Sequence, residues 1–274
     1  MPKVYEQAYK FVTLDAFINF RLCGEMVTEP SNARYGPIDH STLKWSDEIS
    51  ESVGLPIDKL AEIAQSGKLI GEISDGASKS TGLRKGTPVI MGCGDQQCSA
   101  LGTGTIKPGI VKATTGTGTF VITHTEDYME EPYVMYSNPS AIPGEWILEG
   151  VVPGTGAALK WYRDQYYQSD AILAGKAEGD IYEMIESSAA DIPAGSDGLV
   201  VFPFMAIGKG IFYNLGFEHS KAHIARAIME ANGYGIRFYT KTMETMLDIE
   251  FGELCVQFGA TLSLYRNVYD VFCN

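Results

Sequence analysis

Apolar residues along this chain alternate between the three-to-four-residue spacing of helices and the short continuous runs of strands, the pattern of an α/β protein. Residues 5–22 place Tyr9, Val12, Phe17 and Phe20 at helical intervals, with Gly24 as the stop. Two short helices are expected over 45–53 and 56–64, divided by Gly54-Leu55-Pro56. Glu72-Ile73 is a small strand candidate, and 77–81 a helical turn closed by Gly82. The compact run 87–91, entered through Lys85-Gly86, has the pattern of a buried strand and leaves Asp95 just past its carboxyl end. A helix is expected over 96–101 with Asp95 as its N-cap. Lys107-Pro108-Gly109 makes a turn suited to a domain junction. Beyond it, 111–115 and 120–124 flank Gly116-Thr117-Gly118 as a hairpin, with glycines where positive φ or close approach is needed. A strand over 147–152 is broken by Pro153-Gly154-Thr155-Gly156 before a helix over 157–166. Residues 198–202 form a further buried strand, ended by Pro203. The last long helix, 219 to about 247, carries Ile224, Ile228, Ala231, Gly235, Phe238 and Met246 on one buried face, with Gly235 permitting close packing.

Composition narrows what such a chain can do. With 274 residues, 45% of them hydrophobic, and a mean hydropathy of −0.04, it can bury a core and fill one large or two modest domains. No apolar run is long enough to cross a bilayer, and MPKVYEQAYKFV lacks the apolar stretch of a secretory signal. A cytoplasmic location without membrane association is therefore expected. The net charge of −13 argues against a nucleic-acid surface, because phosphate backbones require a basic footprint. A small anionic substrate stays compatible, since backbone N–H groups bind one locally. The five cysteines are scattered and lack a C-x-x-C, so reduced thiols are expected rather than a disulfide framework or a zinc knuckle.

Candidate chemistry concentrates in Gly92-Cys93-Gly94-Asp95-Gln96-Gln97 and in Thr114-Thr115-Gly116-Thr117-Gly118-Thr119. A carboxylate at a strand's carboxyl end lies where α/β proteins place ligand crevices. Phosphoryl transfer to a hydroxyl needs a positioned base, and it needs amides and hydroxyls around the moving group. Asp95 and the Thr117 hairpin would supply those two parts. Taken singly, Asp95 is equally a helix cap and Gly116–Thr119 equally an ordinary tight hairpin. Gly154-Thr155-Gly156 is either an anion-binding helix start or a turn and cap. No G-x-x-x-x-G-K-[ST] is present, and neither Gly102-x-Gly104 nor Gly116-x-Gly118 has the third glycine of a dinucleotide fingerprint. His219 and His223 share a helix face, but without a third ligand they indicate a polar helix start.

Four ordered segments carry a resemblance across roughly residues 8–250. They are GTPVIMGCGDQQCSALGTGTIKPGIVKATTGTGTF, LEGVVPGTGAALKWYRD, PAGSDGLVVFPF and GIFYNLGFEHSKAHIARAIMEANGYGIR. Upstream, FRLCGEMVTEPSNARYGPIDHSTLKWSDEI is similar to an "R-L-T-G-E … D-x-S-x-A-S … D … W" segment. Together they resemble the FGGY carbohydrate kinases, and the spacing from Gly210 to Glu230 follows that family's second signature, with Asn214 in place of a glycine. The resemblance implies an actin-like ATPase (ribonuclease H-like) α/β architecture of two domains, incomplete here: 1–107 the end of the sugar-side domain, 108–274 part of the ATP-side domain. It implies ATP and Mg²⁺ as cofactors and a ketose or polyol as substrate. Asp95 would be the base and help organise the metal, and Gln96 would contact the sugar. Gly116, Thr117, Gly118 and Gly156 would surround the phosphates. Residues 256–266 are similar to the adenine-side T-G-G-G-A-x-S segment, which makes Gly259 a nucleotide-binding candidate, with Phe258 where the family keeps another glycine.

The departures define the alternatives. The D-x-G-T phosphate segment of the family does not occur in this sequence, nor does the G-E-R-x-P stretch after Phe204. Phosphoryl transfer relies on charge and metal clamps from both sides of a cleft. A catalytically inactive remnant, or a half-kinase completed by a separately encoded N-terminal portion, is thus the alternative to an active sugar kinase. Homo-oligomerisation is the other partnership to be expected, because an incomplete sheet leaves edges and apolar faces.

Overall fold

The computed structural model describes residues 2–129, 134–175 and 178–258, which fall into two compact units. One unit comprises Met1–Pro108, His124–Glu131 and Tyr136–Leu148, and the other Gly109–Thr123, Pro132–Met135 and Glu149–Asn274.

In the first unit the helix expected over 5–22 divides into Pro2–Gln7 and α1 (Leu14–Cys23), because Phe11 leaves the helical path to bridge Leu60. The residues that α1 buries are Ala16 and Asn19, whereas Phe17 and Phe20 are 45% and 42% exposed. Asn19 goes inside because its Nδ2 donates to the Val27 carbonyl at 2.9 Å, a demand that apolar spacing does not reveal. The helix Asp47–Val53 forms as expected, with Ser46 Oγ accepting from the Ile49 N–H. Its expected successor does not form. Ile57–Lys59 is a single 3-10 turn, and Glu62–Ile63 pairs in parallel with Val27–Thr28.

Strands β1 (Leu69–Glu72) and β2 (Pro88–Ile90) pair antiparallel, with a register shift between Leu69 and Gly71. The apolar run around β2 is only half buried. Val89 and Met91 are buried in small clusters with Ile73, Ala77, Val27 and Ala64, while Ile90 is 52% exposed. A two-stranded ribbon has an outer face, so a continuous apolar run does not by itself mean burial on both sides. Helix α2 (Asp95–Gly102) follows β2.

Strands β3 (Ile110–Thr115) and β4 (Thr119–Thr125) form the expected hairpin, with Thr115 opposite Thr119. With β5 (Met135–Pro139), β6 (Trp146–Val152) and β9 (Glu253–Phe258), they make a five-stranded sheet in the order β9-β3-β4-β6-β5, β9 running parallel to β3. Burial along β3, β4 and β6 is nearly continuous, as befits a sheet with both faces covered. Strands β7 (Val200–Phe202) and β8 (Ile211–Tyr213) form a separate antiparallel pair. Val201 is the only buried residue of β7, so the run 198–202 is not the fully buried strand its composition suggests.

Helix α3 (Thr155–Tyr166) begins two residues earlier than expected, after Gly154 at φ 80°. Helix α4 (Lys221–Leu247) starts from a capping box in which Ser220 and His223 satisfy each other's N-terminal N–H groups. His223 is thereby a capping residue. Residues 225–233 of α4 are buried all round, and Phe238, expected inside, is 54% exposed. Gly235 does permit close packing: a Cβ there would stand 2.5 Å from Val152 Cγ2.

Candidate active site

Asp95 is the first residue of α2, and Gly94 rather than Asp95 is the N-cap. The carboxylate therefore does not cap in the expected manner. Its Oδ1 accepts from the Gln96 N–H at 2.8 Å, and the residue is exposed. The loop before it is fixed from a distant part of the chain. The Gly94 N–H donates to Ser31 Oγ at 2.8 Å, and the Ser31 hydroxyl and N–H both donate to Glu29, whose other oxygen accepts from Ser66 Oγ at 2.9 Å. A side chain at Gly94 would meet Gln97 Oε1 at 2.6 Å. Glu29 and Ser31 were missed as site-supporting residues, and the signal was available: they occupy the D-x-S positions of the upstream segment.

Burial holds the Glu29 carboxyl above its ordinary range, against the Ser31 and Ser66 hydrogen bonds that lower it. A carboxyl whose folded-state pKa is raised contributes stability below its unfolded pKa and loses that contribution as pH rises through the folded value. The chain is thus expected to lose stability as pH climbs out of the ordinary glutamate range, and Glu29→Gln to remove that component. Melting temperatures of the two proteins from pH 4 to pH 8 check this, and parallel curves would refute it.

The phosphate-hairpin candidates come together in the second unit. The Gly116 N–H donates to the Gly118 carbonyl at 2.8 Å, and the Ala157 N–H of α3 donates to the Thr117 carbonyl at 3.1 Å. Neither Gly116 nor Gly118 has positive φ, and close approach constrains Gly118 and Gly156 but not Gly116, where a Cβ would meet nothing within 4 Å. A Cβ on Gly156 would lie 1.9 Å from the Gly116 carbonyl oxygen, and one on Gly118 would lie 3.0 Å from the Val152 carbonyl oxygen. The hairpin therefore rests directly on the first turn of α3.

Buried hydroxyls fix its base. Thr119 Oγ1 donates to Asn232 Oδ1 at 2.5 Å, so with its one hydrogen spent it accepts from Thr115 at 3.0 Å and Thr155 at 2.9 Å. Asn232 Nδ2 donates back to Thr115 Oγ1 at 3.1 Å. This ring ties β3, β4, α3 and α4 together beneath the hairpin. Beside it lies an apolar cavity of about 370 Å³, lined by Val152, Val201, Phe204, Ala231, Tyr234 and Phe238 among others.

A third fixed element is the loop before β7. Glu230 Oε1 accepts from the Gly195 N–H at 3.0 Å and from Arg226 Nε at 2.7 Å, and its Oε2 accepts from Ser196 Oγ at 2.9 Å. Asn214, which departs from a glycine in the resemblance, has φ 62°, and asparagine tolerates this left-handed region better than most residues. Gly259 lies outside the described residues.

Comparison with known proteins decides what this framework is. Residues 1–102 match the N-terminal domain model, and residues 111–251 the C-terminal domain model, of the FGGY family of carbohydrate kinases. This chain belongs to that family. An autoinducer-2 kinase of Klebsiella pneumoniae is 30% identical over 201 residues, covering 73% of this chain and 38% of the relative. One from Yersinia enterocolitica is 32% identical with the same coverage. A gluconate kinase structure from Lactobacillus acidophilus superposes with a TM-score of 0.81 at 24% identity, over 98% of this chain and 55% of the other. A xylulose kinase from Rhodospirillum rubrum gives 0.79 at 24% identity, with the same coverage. The FGGY chain described here thus spans about 38% of the length of its curated relatives and 55% of those structures. Its fold is the α/β actin-like ATPase fold of FGGY kinases, a family whose members use ATP. No helix among the described residues is long and apolar enough to cross a membrane.

Proposed function

We propose that this chain carries part of the machinery of an ATP-dependent sugar kinase, transferring a phosphoryl group to a hydroxyl of a ketose or polyol. Asp95 removes the hydroxyl proton and Gln96 contacts the sugar. Gly116, Thr117, Gly118 and Gly156 hold the phosphates, and Gly259 serves the nucleotide side. Residues 1–107 belong to the sugar-side domain and 108–274 to the ATP-side domain. The names of the relatives add autoinducer-2 to the candidate substrates.

The observation that carries this reading is the exposed Asp95 carboxylate at the start of α2, on a loop tied through Ser31 to Glu29, in a chain that matches both FGGY domain models. The tight turn at Gly116–Gly118 is the part suited to phosphate oxygens, which backbone N–H groups of turns hold. Asp95 suits Mg²⁺, which takes one or two carboxylates and completes its shell with water and substrate phosphates. When bound, Mg-ATP supplies the phosphoryl group and neutralises charge on it. This chain's own residues orient that group and accept the sugar proton.

ADP release by the purified chain is the test, measured with Mg-ATP and a panel of ketoses, polyols and autoinducer-2. Asp95→Asn is expected to lower turnover at least about 100-fold, with the ATP-induced rise in melting temperature retained. A second reading is nucleotide binding by these residues, with turnover only together with a D-x-G-T segment that this sequence does not contain. ATP stabilisation without ADP release supports that second reading, and no stabilisation at millimolar ATP sinks both.

A further inference from the structure

Cys93 and Cys98, two residues before and three after Asp95, are brought together by the start of α2. Their sulfurs are 3.0 Å apart, Cys98 is exposed and Cys93 half-buried, and both are free thiols. We propose that they are a modification site, a dithiol that closes to a reversible disulfide around Gly94, Asp95, Gln96 and Gln97. The sulfurs need to approach by about 1 Å to reach the bonded distance near 2.05 Å. The Cys93 side of the pair precedes the helix, in a loop whose next residue is anchored through the Gly94 N–H to Ser31.

The co-reactant is a low-molecular-weight disulfide such as oxidised glutathione. The Cys98 sulfur, the more accessible of the two, attacks one sulfur of the oxidant. The oxidant's S–S bond breaks, a mixed disulfide forms, and the first thiol leaves with the proton Cys98 has lost. The Cys93 sulfur then attacks the Cys98 sulfur, expelling the second thiol, which takes the Cys93 proton. Two electrons and two protons pass from the cysteines to the oxidant, and a reductant such as dithiothreitol reverses both steps. The ring so formed constrains the loop that presents Asp95. That consequence, unlike the crosslink itself, rests on the kinase reading.

The experiment treats the full folded chain with oxidised glutathione, blocks remaining thiols with an alkylating agent and maps peptides by mass without reduction. The expected product is a Cys93–Cys98 crosslink, formed at least about tenfold faster in the folded chain than in urea because folding supplies the proximity. Cys98→Ser should abolish it, and Cys93→Ser should stop at the mixed disulfide on Cys98. Mixed disulfides in the wild type without the crosslink would overturn the proposal, as would equal rates in folded and unfolded chain. Where the reduced chain turns over ATP, crosslinking is expected to suppress turnover and dithiothreitol to restore it. A reduced chain that neither turns over ATP nor is stabilised by it refutes the kinase reading and leaves the mass result standing.

Discussion

Glu230→Ala is expected to destabilise the second unit by about 3–5 kcal/mol, the range for removing one partner of a buried ion pair. Glu230 is fully buried and Arg226 is 6% exposed, so the substitution leaves a guanidinium in the interior with its counter-charge gone. It also removes the acceptor for the Gly195 N–H and the Ser196 hydroxyl. That loop needs the support: Ser196 and Asp197 both hold positive φ, at 48° and 51°, where non-glycine residues are strained. Glu230→Gln keeps one acceptor and removes the charge, so its cost should fall between wild type and alanine. The double replacement Arg226→Met/Glu230→Met should recover the part due to the stranded charge and leave the part due to the loop. Denaturant titration of the four proteins checks the order. A loss below about 1 kcal/mol for Glu230→Ala would show that the pair is not closed off from water.

Much of this framework was legible in the sequence where local chemistry is decisive. A Gly-Thr-Gly between two β-rich runs reads as a hairpin from local composition, Gly24 stops α1 as expected, and the apolar period of 219–247 places α4. The failures share a cause. Strands of two or three residues, such as Glu62–Ile63 and Ile211–Tyr213, are too short to show a period, so their pairing is decided by distant partners. The same holds for Asn19 in α1, buried for a hydrogen bond eight residues away, and for Gly94, fixed by a serine 63 residues upstream. Cys93 and Cys98 looked scattered because their spacing matches no metal or redox motif. A helix beginning at Asp95 folds that spacing into a pair. For the candidate site, Asp95 and the Gly116–Gly118 hairpin were visible as residues. What the sequence left out was the support: the Thr115, Thr119, Thr155 and Asn232 ring draws on three separate stretches of chain.

Gly156→Ala is expected to displace the hairpin and to cost about 3 kcal/mol, the upper part of the range for overpacking. The reason lies in what the new methyl group meets. Its Cβ would stand 1.9 Å from the Gly116 carbonyl oxygen and 2.9 Å from the Gly116 carbonyl carbon, atoms of the backbone that no rotamer change can move aside. Either the first turn of α3 or the hairpin must shift by more than 1 Å to restore ordinary van der Waals separation, near 3.5 Å. The Ala157 N–H to Thr117 carbonyl bond, 3.1 Å long, would break with that shift. Gly116→Ala provides the contrast within the same hairpin. A Cβ there has nothing within 4 Å, and its φ is not positive, so it should be nearly neutral for stability. Under the kinase reading the two variants also separate in function, because a misplacement of about 1 Å can reduce a catalysed rate on the order of 100-fold. Gly156→Ala should lose the ATP-induced rise in melting temperature, and Gly116→Ala should keep it, the phosphate being held by backbone groups. Equal melting temperatures for the two variants would mean that the hairpin does not rest on α3. Equal ATP responses, with the expected difference in stability, would instead remove Gly156 from the phosphate site while leaving its packing role intact.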